Sequence, residues 1–217
     1  MRRLLALALL PWALLGTRVS AAPKTATTLT LTVQRIITAG EAARLDGRLV
    51  DSMGGGVPNA GIDVVAHPTV DNGTSMSSTL QSDDEGRFHL IPKPTVSTVY
   101  WASFAGDKTY AASSTKAGQA VRVAVTERVQ QNGRHFAFVG TTSPPKPGRT
   151  VALYERTHAG GTRYLGATDQ IDELGRYAVH AHFASGCRIR VFVHLGDTSG
   201  NLAGNGPVET LNYCSIP

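Results

Sequence analysis

The sequence is poor in the features that announce chemistry. No G-x-S-x-G, H-E-x-x-H or P-loop pattern occurs in its 217 residues, so no recognised catalytic motif is present. Cysteine is limited to Cys187 and Cys214. In an exported chain one disulfide between them is the economical reading, with a pair of buried thiols as the alternative. Tryptophan is limited to Trp12 and Trp101. Trp101 shares a strand with Tyr100 and Phe104, which points to core packing or a half-exposed edge rather than a sugar platform. Apolar stretches of helical period are missing over any ten residues of the main chain body, which leaves strands as the building material.

One long apolar run exists, Leu4 to Leu15, preceded by Arg2 and Arg3 and followed by small residues. A bilayer span takes about 20 residues, so this run reads instead as a secretory signal peptide. Val19 and Ala21 occupy the small-residue positions of a cleavage site, which assigns residues 1–21 to the leader. Removing Arg2, Arg3 and Arg18 from the 21 basic residues leaves 18 against 16 acidic ones, and the net charge falls from +5 to +2. That balance gives no whole-protein drive toward nucleic acid or an anionic membrane. With no second hydrophobic segment, and no cysteine closely following the first, a secreted or extracellular product is expected, free or associated with the cell wall.

Beyond the leader the pattern is short period-2 runs broken by Gly, Pro, Asn and Asp. Residues 27–33, 44–50, 62–66, 88–91, 99–104 and 120–125 read as strands, with turn signals at 52–59, 71–73, 83–86 and 106–107. Such spacing indicates a β-sandwich. The second half repeats the plan. Asp84-Glu85-Gly86-Arg87-Phe88 is answered 89 residues later by Glu173-Leu174-Gly175-Arg176-Tyr177, and Gly106-Asp107 is answered by Gly196-Asp197. A near-constant offset predicts two copies of one fold, residues 22–126 and 127–217, with no Gly/Pro/Ser linker between them.

The first half resembles bacterial Ig-like repeat domains of secreted and cell-surface proteins, especially actinobacterial ones. The residues that carry this are Leu45, Gly47, Leu49, Pro58, Gly61, Val64, the run Ser82 to Phe88, and Tyr100, Ala102, Phe104, Gly106, Asp107 and Tyr110. The second half resembles the transthyretin-like or carboxypeptidase-regulatory sandwich through Gly148, Val151, Leu153, Tyr154, Gly166 and Gly175 to Tyr177. The resemblance implies a stalk, spacer, adhesive domain or polymer binder outside the cell.

Three features are candidate sites. The acidic clusters Asp83-Asp84-Glu85 and Asp169, Asp172, Glu173 each precede a Gly, and a tight turn with Asp bonding backbone amides explains them better than Ca²⁺. His180 and His182 share a strand face opposite the apolar series Tyr177, Val179, Ala181 and Phe183, a spacing compatible with Zn²⁺ or Cu²⁺. A three-residue loop, Ala184-Ser185-Gly186, would fold the strand 188–195 back beside them and set Arg188 and Arg190 against both histidines. Guanidinium neighbours oppose a cation, so no metal or other cofactor is assigned. The same register predicts a basic face of Arg176, His180, His182, Arg188, Arg190 and His194, suited to an anionic wall polymer or acidic polysaccharide. The Gly/Asn-rich segment 197–206 is either an exposed contact element for another secreted protein or a solvated loop. The resulting expectation is an all-β protein of two tandem Ig-like or transthyretin-like β-sandwich domains, secreted and non-catalytic. Its expected role is structural or binding. A small hydrolase or metal-dependent enzyme, or a binder or inhibitor of another secreted protein, are the alternatives.

Overall fold

A computed structural model of the protein describes residues 22–70, 73–183 and 188–212. The expected leader 1–21 and both Cys187 and Cys214 lie outside the described residues. The first half forms β1 (Thr27–Val33), β2 (Ile36–Thr38), β3 (Leu45–Asp51), β4 (Gly61–Pro68), β5 (Met76–Gln81), β6 (Arg87–Leu90), β7 (Thr98–Phe104) and β8 (Ser113–Arg122). The second forms β9 (Ala124–Asn132), β10 (His135–Ser143), β11 (Thr150–Arg156), β12 (Thr162–Gln170), β13 (Arg176–His182), β14 (Arg188–Leu195), β15 (Gly204–Asn205) and β16 (Glu209–Asn212). Among the described residues there is no helix, and so none long and apolar enough to cross a membrane.

The strands make two sandwiches. In the first, the sheet β1-β3-β6 faces the sheet β2-β8-β7-β4-β5. In the second, β9-β10-β13 faces β12-β11-β14, with β15 and β16 both paired to β14. The second repeats most of the first's order, with β9, β10 and β13 standing for β1, β3 and β6 and β12, β11 and β14 for β5, β4 and β7, while β2 has no counterpart and β15 and β16 together stand beside β14 where β8 stands beside β7. Alternation drives the layering: Thr98, Tyr100, Ala102 and Phe104 of β7 point inward, while Trp101 and Ser103 between them are exposed. Leu45, Leu49, Ile62, Val64 and Tyr100 fill the first core; Phe138, Val151, Leu153, Val179 and Val193 fill the second, all at 1% exposure or less.

The repeated turn is local chemistry. Asp83 Oδ1 accepts hydrogen bonds from the amides of Glu85 and Arg87 at 3.0 and 2.7 Å, and Asp172 Oδ1 accepts from Leu174 and Arg176 at 2.9 and 2.7 Å. Gly86 and Gly175 follow with φ of 76° and 79°, a conformation that only Gly takes without strain. Each then uses its carbonyl to accept an amide from the neighbouring strand, Leu49 in one copy and Thr142 in the other. The second acidic cluster is split, since Asp169 on β12 accepts the Ala178 amide at 2.6 Å and ties the two sheets along one side. The other matched pair diverges. Asp107 Oδ1 caps the amides of Thr109 and Tyr110, whereas Asp197 Oδ1 accepts from Ala203.

The segment 197–206 is not a free solvated loop, although Asp197, Ser199 and Asn205 are exposed. It lies in the seam between the sandwiches, with Asn201 only 4% exposed. Asn201 Nδ2 donates to Thr95 O at 2.9 Å and to Val121 O at 3.3 Å. The Leu202 amide donates to Val121 O, the Val123 amide to Leu202 O, and the Ser97 amide to Gly200 O, at 2.9, 3.1 and 2.7 Å. Val123, 2% exposed, is the single residue between β8 and β9. Composition suggested a loop because Gly and Asn are rich in it. Gly200 is there for fit: its φ is 76°, and a side chain would run into Val70.

Candidate functional site

The predicted basic face does not assemble. Arg176, His180 and His182 belong to β13, which pairs with β10, while Arg188, Arg190 and His194 belong to β14, which pairs with β11, β15 and β16. The two strands are in opposite sheets, so their outward residues point to opposite sides of the sandwich. β13 and β14 therefore do not pair as the expected hairpin, and Ala184, Ser185 and Gly186 lie outside the described residues. Period-2 alternation fixes which face of a strand is buried, but a neighbour in the same sheet and a neighbour in the facing sheet leave the same pattern.

What each half joins is different. On the outer face of β12-β11-β14, Tyr154 is the centre of an aromatic row. Its ring lies 5.6 Å from Tyr164, 5.9 Å from Phe192 in a stacked arrangement, and 5.4 Å from His194 edge-on. The Arg156 guanidinium sits 5.4 Å over Phe192, a cation–π contact. Arg156 and Arg190 then border a depression of about 380 Å³ with Thr157 and His158. Arg188 is exposed one step along β14 from Arg190 on the same side. His194 Nδ1 is 2.7 Å from Asn205 Oδ1, which fixes its ring. The nearby Glu155 carboxylate is engaged by the Arg163 Nε at 2.9 Å.

On the outer face of β9-β10-β13, His182 stands opposite His135, and His180 opposite Ala137. Arg176 is held instead at the turn: its Nε is 2.8 Å from Asp172 Oδ2. The Arg176 amide and then its guanidinium keep the Asp172 carboxyl below its usual range. Among the described residues no group of three His, Cys, Asp or Glu side chains is placed to hold a metal ion.

Sequence reasoning missed His135, Arg156, Tyr154 and Tyr164 as partners of the named residues. The outward alternation of Tyr154 and Arg156 in β11 was visible, but their neighbours depend on strand order. Trp101 is on an interior strand, 48% exposed, with Lys116 Nζ 5.0 Å over its ring and His67 edge-on at 6.4 Å. His67 Nδ1 also lies 2.9 Å from Ser75 Oγ, nucleophile-to-base spacing. Among the described residues no carboxylate orients that histidine.

No family model and no curated protein matches the chain. Similar solved structures include a tetra-tandem repeat from the extending region of a large adhesion protein, at 19% identity and TM-score 0.38. They also include the alpha-2-macroglobulins of Salmonella and E. coli, at 18% and 16% identity and TM-scores 0.33 and 0.34. The chain is covered over 86% and 91% of its length in these comparisons, and spans 50% of the adhesion repeat and 15% of each macroglobulin.

Proposed function

We propose that the protein is a secreted, non-catalytic binding module of two stiffly joined sandwich domains, divided near Val123, that holds an anionic cell-wall polymer or acidic polysaccharide outside the cell. The observation that carries this reading is the arginine-bordered aromatic row on the outer face of β12-β11-β14. Aromatic rings stack on sugar faces, and planar guanidinium groups pair with carboxylate or phosphate oxygens in two-point contacts. Arg156, Arg188, Arg190 and His194 take over the role that the sequence gave to a larger set. The seam at Asn201 supports a spacer that presents the face at a fixed angle to the first sandwich.

Co-sedimentation of the purified protein with cell walls at low and high salt tests it. Salt-sensitive pelleting that falls several-fold in Arg156→Ala with Arg190→Ala is expected, because exposed charge pairs are screened over about 10 Å at 0.1 M salt. Pelleting that the double variant leaves unchanged contradicts this reading.

A further inference from the structure

The histidines of β10 and β13 form a second, separate surface feature. His135 and His182 are directly opposed across antiparallel strands, with ring centroids 4.7 Å apart and planes tilted by 40°. Directly opposed residues hold their Cβ atoms about 4.5–5.5 Å apart, close enough for two imidazoles to converge on one ion at about 2.0–2.1 Å. His180 projects from the same side of β13 and stands opposite Ala137. That small side chain leaves a depression of about 530 Å³, rimmed by the three imidazoles with Gln130 and Asn132. Among the described residues no carboxylate, lysine or arginine lines it. The two arginines expected beside these histidines are in the opposite sheet, which removes the charge that would repel a cation.

We propose that His135 and His182 chelate a divalent transition-metal ion, Cu²⁺ or Zn²⁺, with His180 at the rim and water in the remaining positions. Two imidazoles on hydrogen-bonded strands are held in place before the ion arrives, so little ordering is needed on binding. Nitrogen ligands suit both ions, and Cu²⁺ binds such a set more tightly than Zn²⁺. With two protein ligands the site is open and exchangeable, unlike the closed four-ligand sites of structural zinc. β9 runs from the seam to Asn132, opposite His135, so the ion would sit about 30 Å from the first sandwich at 3.3 Å per residue.

Calorimetric titration of the metal-free protein with ZnCl₂ and CuCl₂, with thermal unfolding in parallel, tests the proposal. One equivalent of either ion is expected to bind, Cu²⁺ more tightly, and to raise Tm. His135→Ala and His182→Ala each lower affinity at least tenfold and abolish the rise in Tm, while His67→Ala and His194→Ala leave both intact. Both key positions are exposed, so an unchanged Tm in chelator confirms that the variants fold, and His135→Gln provides a second variant if His135→Ala does not. Failure of either ion to bind at one equivalent overturns the proposal. So does binding that survives in both His135 and His182 variants, or is lost equally in the controls.

Discussion

Gly47 and Gly140 occupy the same place in the two sandwiches, and each is covered by an aromatic ring from the paired residue of the next strand. Gly47 pairs with Phe88 and Gly140 with Tyr177. A methyl group at Gly47 would run into the Phe88 ring, and one at Gly140 into both the Tyr177 ring and the Thr126 carbonyl. Tyr177 also donates its hydroxyl hydrogen to Thr126 O at 2.7 Å, so its ring has nowhere to retreat. Gly140→Ala is therefore expected to destabilise the second sandwich by roughly 1–3 kcal/mol, measured by chemical denaturation. An unchanged midpoint would show that the ring moves aside freely. Glu127 is the other decisive residue. Its Oε2 accepts the Val193 amide at 3.0 Å, replacing a strand partner near the Pro207 interruption between β15 and β16, while Oε1 is buried without a hydrogen-bond partner. Burial first, and the Glu209 charge second, push its pKa up to about 7 against the lowering effect of the Val193 amide. The folded protein thus holds a proton that the unfolded chain releases above about 4.5. This contribution to stability is present at the acid end and declines as pH rises to about 7. Glu127→Gln should flatten that decline between pH 5 and 8; parallel curves for both proteins would contradict the assignment.

The elements show which parts of the molecule a one-dimensional pattern carries. Strand positions and buried faces follow from alternation, as in β7, and the Asp-Gly turns before β6 and β13 follow from residues that bond within five positions of one another. Pairing partners do not follow. His182 meets His135 across β10, and Arg190 meets Thr210 across β16, contacts set by the Greek-key order rather than by anything near those residues in sequence. The segment before β15 shows the same limit, since polar composition marks a loop but not its destination. There Asn201 donates to the Thr95 and Val121 carbonyls of the first sandwich, the second of which also accepts the Leu202 amide. Asn201→Ala leaves those acceptors less well paired and should loosen the joint. Small-angle scattering is expected to show a broader distribution of distances for the variant, with each sandwich still folded. Identical profiles would mean that the backbone bonds of Gly200 and Leu202 suffice.

At the scale of the whole molecule, two copies of one sandwich have been given different surfaces. The first exposes Trp101 between His67 and Lys116, and the second exposes the Tyr154 row with its arginines on one side and the histidine depression on the other. β14 and β16 are neighbours, with Arg188 paired to Asn212, and the Cys187–Cys214 disulfide expected from the sequence lies just outside the described residues. Intact mass under non-reducing conditions should be two hydrogens below that of the reduced protein, whereas two alkylatable thiols without reductant would contradict it. The proposed polymer-binding role is tested most directly by mapping amide NMR shifts during titration with a soluble teichoic-type polyanion. Perturbations are expected to concentrate on Tyr154, Arg156, Arg190 and His194 and to weaken with added salt. Perturbations centred on Trp101 or on the β9-β10-β13 face, or none at all, would contradict the account.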